Sequence, residues 1–392
     1  MTAPRAQSHL QHLLKILPAL IVVLGACAPK PPAPQDSSTA TSPAPSVSPS
    51  PSPEPVTPGP TRTPVPLPLS ELGPYFTGRR TFTAVDAARG GREVKIDVWY
   101  PALRPEGFSG TVAEDAPPDP SGAPYPLIIS SSVVARIFAV HLISYGFTWA
   151  SVRDINTYPQ MQEQMYSQPL DILFALDQVA SSPPPGLEGI VDAEHAGATG
   201  YSFDGYNTLA MSGARIDPAY YQAQCPTPDP ITQSILLSLS AYNCGPADRW
   251  EDFQAGVGER ITDSDDGLWQ PMTDPRIRAV MPMAGEGWWL FGEKGLAAVD
   301  RPVLMLAARD DTLYPENALI FEHLGAPEKT FITFLGEDHM MVMETPMARR
   351  MGHFAVAFFG YHLQGRQDLQ AYFSPEWVSQ FEDLVWGPVG GS

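Results

Sequence analysis

The residues best suited to chemistry in this sequence are a serine between glycines and, further along the chain, an aspartate and a histidine. Ser202 lies within residues 200–205 (GYSFDG), and Asp311 and His339 follow it in that order. A serine hydroxyl is a weak nucleophile until a base removes its proton, and a histidine oriented by a carboxylate can be that base. The three residues therefore predict nucleophilic catalysis.

Ser202 stands between a segment with strand character, residues 196–201, and one with helix character, residues 205–212. A tight strand-to-helix turn would hold the serine Oγ out at the edge of a sheet. It would also aim the next backbone N–H, that of Phe203, at the oxygen that becomes negative during attack. This context favours a catalytic serine over a chance Gly-x-Ser.

The candidate base and acid each follow a predicted strand. His339 comes after the last predicted strand and a glycine turn, from which a loop can bring an imidazole onto the serine. Asp311 comes just past another strand, at the carboxyl end where open α/β sheets place their sites. Asp310 is adjacent and is the main alternative to Asp311.

The elements that must position these residues alternate between strands and helices, which implies right-handed crossovers and a mostly parallel sheet. A first pair of strands is predicted to meet at a turn containing Gly90 and Gly91. Residues 213–275 lack this regularity and are predicted to form a cap insertion. The predicted strands are 81–84, 93–100, 125–130, 147–152, 196–201, 277–283, 303–307 and 330–335, and the predicted helices are 139–144, 165–179, 205–212 and 347–363.

The N-terminus resembles a bacterial lipoprotein signal. Residues 1–26 have a weakly basic start and an apolar run, Ile16 to Ala26, that is too short to span a bilayer. The run ends in Leu-Gly-Ala-Cys, like a lipobox, which implies cleavage before Cys27 and lipidation of its thiol. An ordinary signal peptide followed by a chance cysteine is the alternative.

Residues 27–69 are predicted to be a disordered tether rich in Pro, Ser and Thr. Residues 29–69 contain 15 prolines, which supply no backbone donor and prevent helix or sheet. Together with the lipobox, this predicts an extracytoplasmic domain, residues 70–392, anchored to a bacterial membrane through lipid on Cys27.

Two cysteines remain once Cys27 carries lipid. An even remainder in an oxidising compartment predicts a disulfide between Cys225 and Cys244, and two buried free thiols are the alternative. The net charge of −19 would fall to −21 on removal of residues 1–26, which argues against nucleic acid as a partner. The cysteine and histidine spacings fit no zinc site, so neither a metal nor a cofactor is predicted, and the oligomeric state stays open.

Three stretches carry a family resemblance: residues 98–101 (VWYP), residues 192–205 (DAEHAGATGYSFDG) and residues 302–315 (PVLMLAARDDTLYP). They resemble the α/β-hydrolase superfamily, in particular its predicted dienelactone hydrolases and platelet-activating-factor acetylhydrolase-like lipases. The order Ser, Asp, His is that of α/β hydrolases, and the family's Asp-x-x-x-Pro pattern favours Asp311. The resemblance implies an α/β-hydrolase fold, and hydrolysis of short-chain or lipid-like carboxylic esters through an acyl-serine on Ser202.

Two places depart from this family's pattern. Where the family usually has Ser-His-Gly-Leu, which provides the second oxyanion donor, residues 131–134 are Ser-Ser-Val-Val, so the donor would be the backbone N–H of Val133 or Val134. Asp204 replaces a glycine and adds negative charge beside the developing oxyanion. Losing one donor costs roughly a hundredfold or more in rate. The alternative hypothesis is therefore a weak or inactive hydrolase-fold lipoprotein that binds a ligand.

The segment 285–289 (GEGWW) follows a predicted strand and supplies the candidates for a substrate pocket, Trp288 and Trp289. The two tryptophans either line the acyl or alcohol pocket or pack beneath the cap. Both interpretations stay open at this point.

Overall fold

The computed structural model describes residues 67–153, 163–225, 230 and 244–390, all within the compact unit Arg62–Ser392. The strands are β1 (Phe76–Asp86), β2 (Arg92–Ala102), β3 (Val112–Glu114), β4 (Tyr125–Ser131), β5 (Thr148–Val152), β6 (Val191–Tyr201), β7 (Ile277–Met283), β8 (Val303–Ala308), β9 (Lys329–Phe334) and β10 (Leu384–Trp386). The α-helices are α1 (Ser132–Ser144), α2 (Gln164–Ser181), α3 (Phe203–Met211), α4 (Pro218–Gln224), α5 (Trp250–Val257), α6 (Glu259–Thr262), α7 (Trp288–Leu296), α8 (Tyr314–His323), α9 (Thr345–Leu363) and α10 (Pro375–Val378). Short 3₁₀ turns cover Ala87–Arg89, Gly245–Arg249, Met341–Met343 and Gln367–Phe373.

The strands form one sheet in the order β10-β9-β8-β7-β6-β4-β5-β2-β1-β3. The six strands from β4 to β9 run parallel. The hairpin β1–β2 joins antiparallel to β5 on one side, and β10 pairs antiparallel with β9 on the other. The described chain is thus an α/β protein with a mostly parallel sheet, as the sequence predicts.

The parallel strands are apolar because helices cover both faces of the sheet. Every residue of β4, β5 and β8 is buried. One hydrophobic cluster lies between the sheet and helices that include α2, α3 and α7, and a second lies between the sheet and α1 and α9. Ile128 faces the second cluster and its neighbours Leu127 and Ile129 face the first, following the two-residue period of a strand.

Each strand predicted from the sequence is present, and two short strands, β3 and β10, were not predicted. The larger difference lies after β4. The sequence predicts a loop before a helix at 139–144, whereas α1 begins at Ser132, directly after the strand. Ser131 explains the early start, because its hydroxyl accepts a hydrogen bond from the N–H of Val133 and caps the helix.

The predicted disulfide is confirmed: Cys225 and Cys244 are bonded to each other. They border the stretch 213–275, which contains α4, α5 and α6, while residues 226–229 and 231–243 of it lie outside the described residues. The predicted signal, the lipidation site Cys27 and the tether up to residue 66 also lie outside them.

The last residues assigned to the tether from the sequence are packed onto the domain. Leu67 is buried. The N–H of Leu69 donates to Nδ1 of His353, and its carbonyl lies 2.8 Å from Nε2 of His141. Among the described residues, the helices fall short of the length and apolarity needed to cross a bilayer.

Candidate active site

Ser202 occupies a sharp turn between β6 and α3. Its backbone has φ 60° and ψ −126°, a conformation that residues with a side chain rarely adopt. The turn is held on both sides: the N–H of Ser202 donates to the carbonyl of Met283, and its carbonyl accepts from the N–H of Gly205. The strand-to-helix turn expected from the sequence is present.

The glycines around this turn permit contacts that a side chain would prevent. A Cβ on Gly200 would lie 2.0 Å from the carbonyl oxygen of Asp204, and a Cβ on Gly205 would lie 2.6 Å from Cα of Gly285. Helix α3 therefore lies directly against β6 and against the loop that follows β7. Small residues at this turn are a steric requirement of the fold.

The structure brings the three predicted residues into one chain of hydrogen bonds. Nε2 of His339 lies 3.1 Å from Oγ of Ser202, and Nδ1 of His339 lies 2.7 Å from Oδ2 of Asp311. Asp310, the alternative acid, is exposed, and Asp311 is the aspartate placed against the imidazole. These contacts join the ends of β6, β8 and β9, which lie within the four consecutive strands β9-β8-β7-β6 of the sheet.

The acid and the base are both held in place. The second oxygen of the buried Asp311 carboxyl accepts the N–H of Leu313 at 2.9 Å. The carbonyl of His339 accepts a hydrogen bond from the hydroxyl of Tyr201 at 2.7 Å. Burial lowers the pKa of His339, but the hydrogen bond and negative charge of Asp311 outweigh it, so the pKa lies above its ordinary value.

The backbone N–H groups expected to stabilise the oxyanion belong to two segments. Phe203 begins α3, and Val133 and Val134 lie in the first turn of α1. The N–H of Val133 is directed to Oγ of Ser131 at 3.3 Å, and Val133 is 42 % exposed whereas Val134 is buried. The N–H groups in the first turn of a helix have no carbonyl partner within that helix. The starts of α1 and α3 can therefore stabilise a negative charge.

Asp204 turns its carboxyl towards the end of β4. Oδ2 accepts from the hydroxyl of Ser131 at 2.7 Å and from its N–H at 3.3 Å, and Oδ1 accepts from Nδ2 of Asn207 at 3.1 Å. Burial raises the pKa of Asp204 to about 6, although these hydrogen bonds favour the ionised form. The sequence draws attention to Asp204 as a departure from the family, but it does not predict its link to Ser131.

The loop after β7 is fixed by α8, a feature the sequence analysis missed. Oδ1 of Asn317 accepts the N–H of Gly285 at 2.9 Å. Oε1 of the buried Glu316 accepts the N–H groups of Gly287 at 2.8 Å and Trp288 at 3.0 Å, and so caps α7. Burial raises the pKa of Glu316 to about 8, with a smaller contribution from Glu286.

The two candidate pocket tryptophans lie at the start of α7 and are buried, at 5 % and 1 % exposure. Trp289 stacks on Tyr206 of α3, and Trp288 packs edge-on against Tyr220 of α4. They connect α3, the helix that follows Ser202, to the stretch predicted as a cap.

A cleft with a volume of about 360 Å³ lies elsewhere in the described part of the chain. It is lined by residues 72–77, 102–104 and a few others, and Ser202, Asp311 and His339 are not among them. The described residues contain no group of three or more His, Cys, Asp or Glu side chains that could hold a metal ion.

Comparison with protein-family models and with curated proteins gives no match to this chain.

Proposed function

We propose that this protein is a serine hydrolase with the α/β-hydrolase fold that cleaves carboxylic esters, short-chain or lipid-like, through an acyl-serine intermediate. The observation that carries the proposal is the unbroken chain Asp311–His339–Ser202, with the serine held at positive φ between a strand and a helix. The stretch 213–275 would be the cap over the substrate. Trp288 and Trp289 would support the pocket from beneath that cap.

In the first half of the reaction, Nε2 of His339 takes the Ser202 proton as Oγ attacks the ester carbonyl carbon. Asp311 holds the proton on Nδ1 and stabilises the imidazolium. The tetrahedral intermediate then collapses, the bond to the alcohol breaks, and His339 returns the proton to the leaving oxygen. In the second half, His339 takes a proton from water as the water oxygen attacks the acyl carbon. The bond from that carbon to Oγ of Ser202 then breaks, His339 returns the proton to Oγ, and the acid is released.

The negative oxygen of each tetrahedral intermediate would be stabilised by backbone N–H groups. The N–H of Phe203 would be the first donor, and the N–H of Val133 or Val134, in the first turn of α1, would be the second. A glycine loop is unnecessary in this arrangement, because a helix start presents N–H groups without one.

We also propose that the protein is an extracytoplasmic lipoprotein held in a bacterial membrane by lipid on Cys27. The Cys225–Cys244 disulfide supports export, because such bonds persist in oxidising compartments. In a bacterial expression host, labelled palmitate should enter the unsubstituted protein and the membrane fraction should contain it. A Cys27→Ala protein that takes up the same label and stays in the membrane would contradict this.

Treatment with a fluorophosphonate probe tests the hydrolase proposal without knowledge of the substrate. In the full chain, extracted in detergent, the probe should form an adduct on Ser202 that mass spectrometry locates. Ser202→Ala should remove the adduct, and His339→Ala should slow labelling by orders of magnitude because the base is lost.

The chain offers a matched control, since His195 forms a hydrogen bond with Asp192 at the surface at 2.8 Å. His195→Ala should label at the unsubstituted rate. A folded protein that neither labels nor hydrolyses activated esters would refute the proposal. It would favour a ligand-binding protein derived from a hydrolase, for which the altered residues 131–134 are the structural argument.

A further inference from the structure

We propose that Asp204 is a positioning residue that fixes the start of α1 against the nucleophile turn, and so sets the spacing of the two oxyanion donors. The inference rests on the proposed function. It concerns a residue that would be glycine in the family the chain resembles, so the family pattern does not provide it. It also reverses the expectation that a carboxylate here merely hinders the reaction.

The geometry places Asp204 between the two elements that would bind the oxyanion. It lies two residues after Ser202, in the first turn of α3 with Phe203. Its Oδ2 accepts both the hydroxyl and the N–H of Ser131, the residue that ends β4 and caps α1. A single carboxyl group therefore joins the first donor's helix to the second donor's helix across 73 residues of sequence.

The other oxygen, Oδ1, fixes the Asp204 carboxyl to α3 and, through it, to α2. Oδ1 accepts from Nδ2 of Asn207, and the same Nδ2 donates to Oε1 of Gln168 in α2 at 2.9 Å. Asp204, Asn207 and Gln168 are all buried. Because the anchor is itself fixed, movement of Ser131 would break hydrogen bonds in a water-poor environment, where an unsatisfied polar group is costly.

A carboxylate at position 204 suits these contacts. Both oxygens accept, and the three donors come from Ser131 and Asn207. An asparagine would direct its own amino group at one of these donors. The hydrogen-bond partners of Asp204 among the described residues are neutral, so the charge is stabilised by dipoles and not by a counter-ion.

This arrangement compensates for the missing loop after β4. Oxyanion stabilisation depends on donors held at hydrogen-bond distance from where the charge develops, and displacement by a fraction of an ångström weakens it. Because α1 begins at Ser132, directly after β4, no loop is available to adjust the position of its first turn. The hydrogen bonds from Ser131 to Asp204 fix that position relative to the nucleophile turn.

A double-mutant cycle on the full chain in detergent tests the proposal, with p-nitrophenyl acetate as the probe substrate. Asp204→Ala and Ser131→Ala should each lower kcat roughly ten- to a hundredfold with KM changed less than about threefold, because ground-state binding does not use the oxyanion donors. The kcat of the double variant should lie within about threefold of the kcat of the less active single variant, because both substitutions break the same link. Asp204→Asn should behave like Asp204→Ala.

Hydrogen exchange gives a readout that does not depend on turnover. Amides of the peptide 130–136 should exchange faster in Asp204→Ala than in the unsubstituted chain. Asp86→Asn is the matched control: Asp86 is a buried carboxyl that caps the turn Ala87–Arg89 in the β1–β2 hairpin. This control should leave both kcat and exchange at 130–136 unchanged.

The outcomes separate the two proposals. An unsubstituted chain without turnover or labelling overturns the proposed function and the positioning role together. An active chain whose Asp204→Ala variant keeps or raises kcat overturns the positioning role alone, and a raised kcat would mean that the negative charge opposes the oxyanion. Multiplying effects in the double variant, or unchanged exchange at 130–136, would also overturn it.

Discussion

The backbone of Ser202 stores strain that a substitution should release. At φ 60° and ψ −126° the residue occupies the position of a type II′ turn that favours glycine. A side chain in such a region costs about 1–3 kcal/mol, whereas glycine loses about 0.5–1 kcal/mol through its greater freedom in the unfolded chain. Ser202→Gly should therefore unfold with a free energy about 1 kcal/mol higher than Ser202→Ala.

The comparison of these two variants isolates the contribution of the backbone to the free energy of unfolding. Both variants lack the hydroxyl that faces His339, and both should be inactive. Urea unfolding followed by tryptophan fluorescence gives the two free energies, provided that the slope with denaturant is the same.

A serine in an ordinary helix provides the control. Ser167 lies in α2, where glycine costs about 1 kcal/mol relative to alanine, so Ser167→Gly should be less stable than Ser167→Ala. The expected difference thus has opposite signs at the two serines. If Ser202→Gly is no more stable than Ser202→Ala while the Ser167 pair behaves as expected, the turn at Ser202 is not strained and the reasoning fails.

Three further predictions concern the acid, a buried glutamate and the disulfide. Asp311→Asn should lower kcat by about 10³–10⁴ and shift the acid limb of kcat/KM to lower pH, because Asp311 raises the pKa of His339; an unmoved limb would argue against the contact. The pKa of Glu316 is raised to about 8, so its contribution to the free energy of unfolding should fall as pH rises from about 5 to 8. Glu316→Gln should flatten that fall in urea titrations, and an identical pH profile would contradict the burial of the charge. Replacing Cys225 and Cys244, separated by 19 residues, with serine should cost about 3 kcal/mol in oxidising buffer, and reduction should abolish the difference.

The central strands were predictable because burial on both faces leaves a local trace in the sequence. Strand β8 is buried at every position, and its uninterrupted apolar run is visible without knowledge of its neighbours. The edge strand β10 leaves no such trace. It has three residues, and only its pairing with Phe334 and the two residues before it defines it as a strand.

The identity of the candidate triad was predictable for a related reason. Ser202, Asp311 and His339 each follow a strand, and parallel strands bring their carboxyl ends to one edge. The start of α1 was not predictable from the sequence, because Ser130, Ser131 and Ser132 have the composition of a loop. Ser131 caps a helix only because the chain before it is a buried strand and the chain after it packs on the sheet.

The contacts around the triad involve residues far apart in the chain, so no spacing rule reveals them. Asp204 and Ser131 are 73 residues apart, and Glu316 and Trp288 are 28 apart. A buried carboxyl indicates that a partner must exist, since an unpaired buried charge is costly. It does not indicate which partner, and that information comes only from the fold.

The burial of the carboxyls around the site makes the stability of the fold depend on pH. A carboxyl whose folded pKa exceeds its unfolded pKa stabilises the fold less as pH rises between the two values. Asp204, with a pKa of about 6, and Glu316, with a pKa of about 8, both fall in this class. His339 needs the opposite change, because it acts as a base only above its raised pKa. Activity should therefore rise with pH over a range in which the two buried carboxyls contribute less to the stability of the fold.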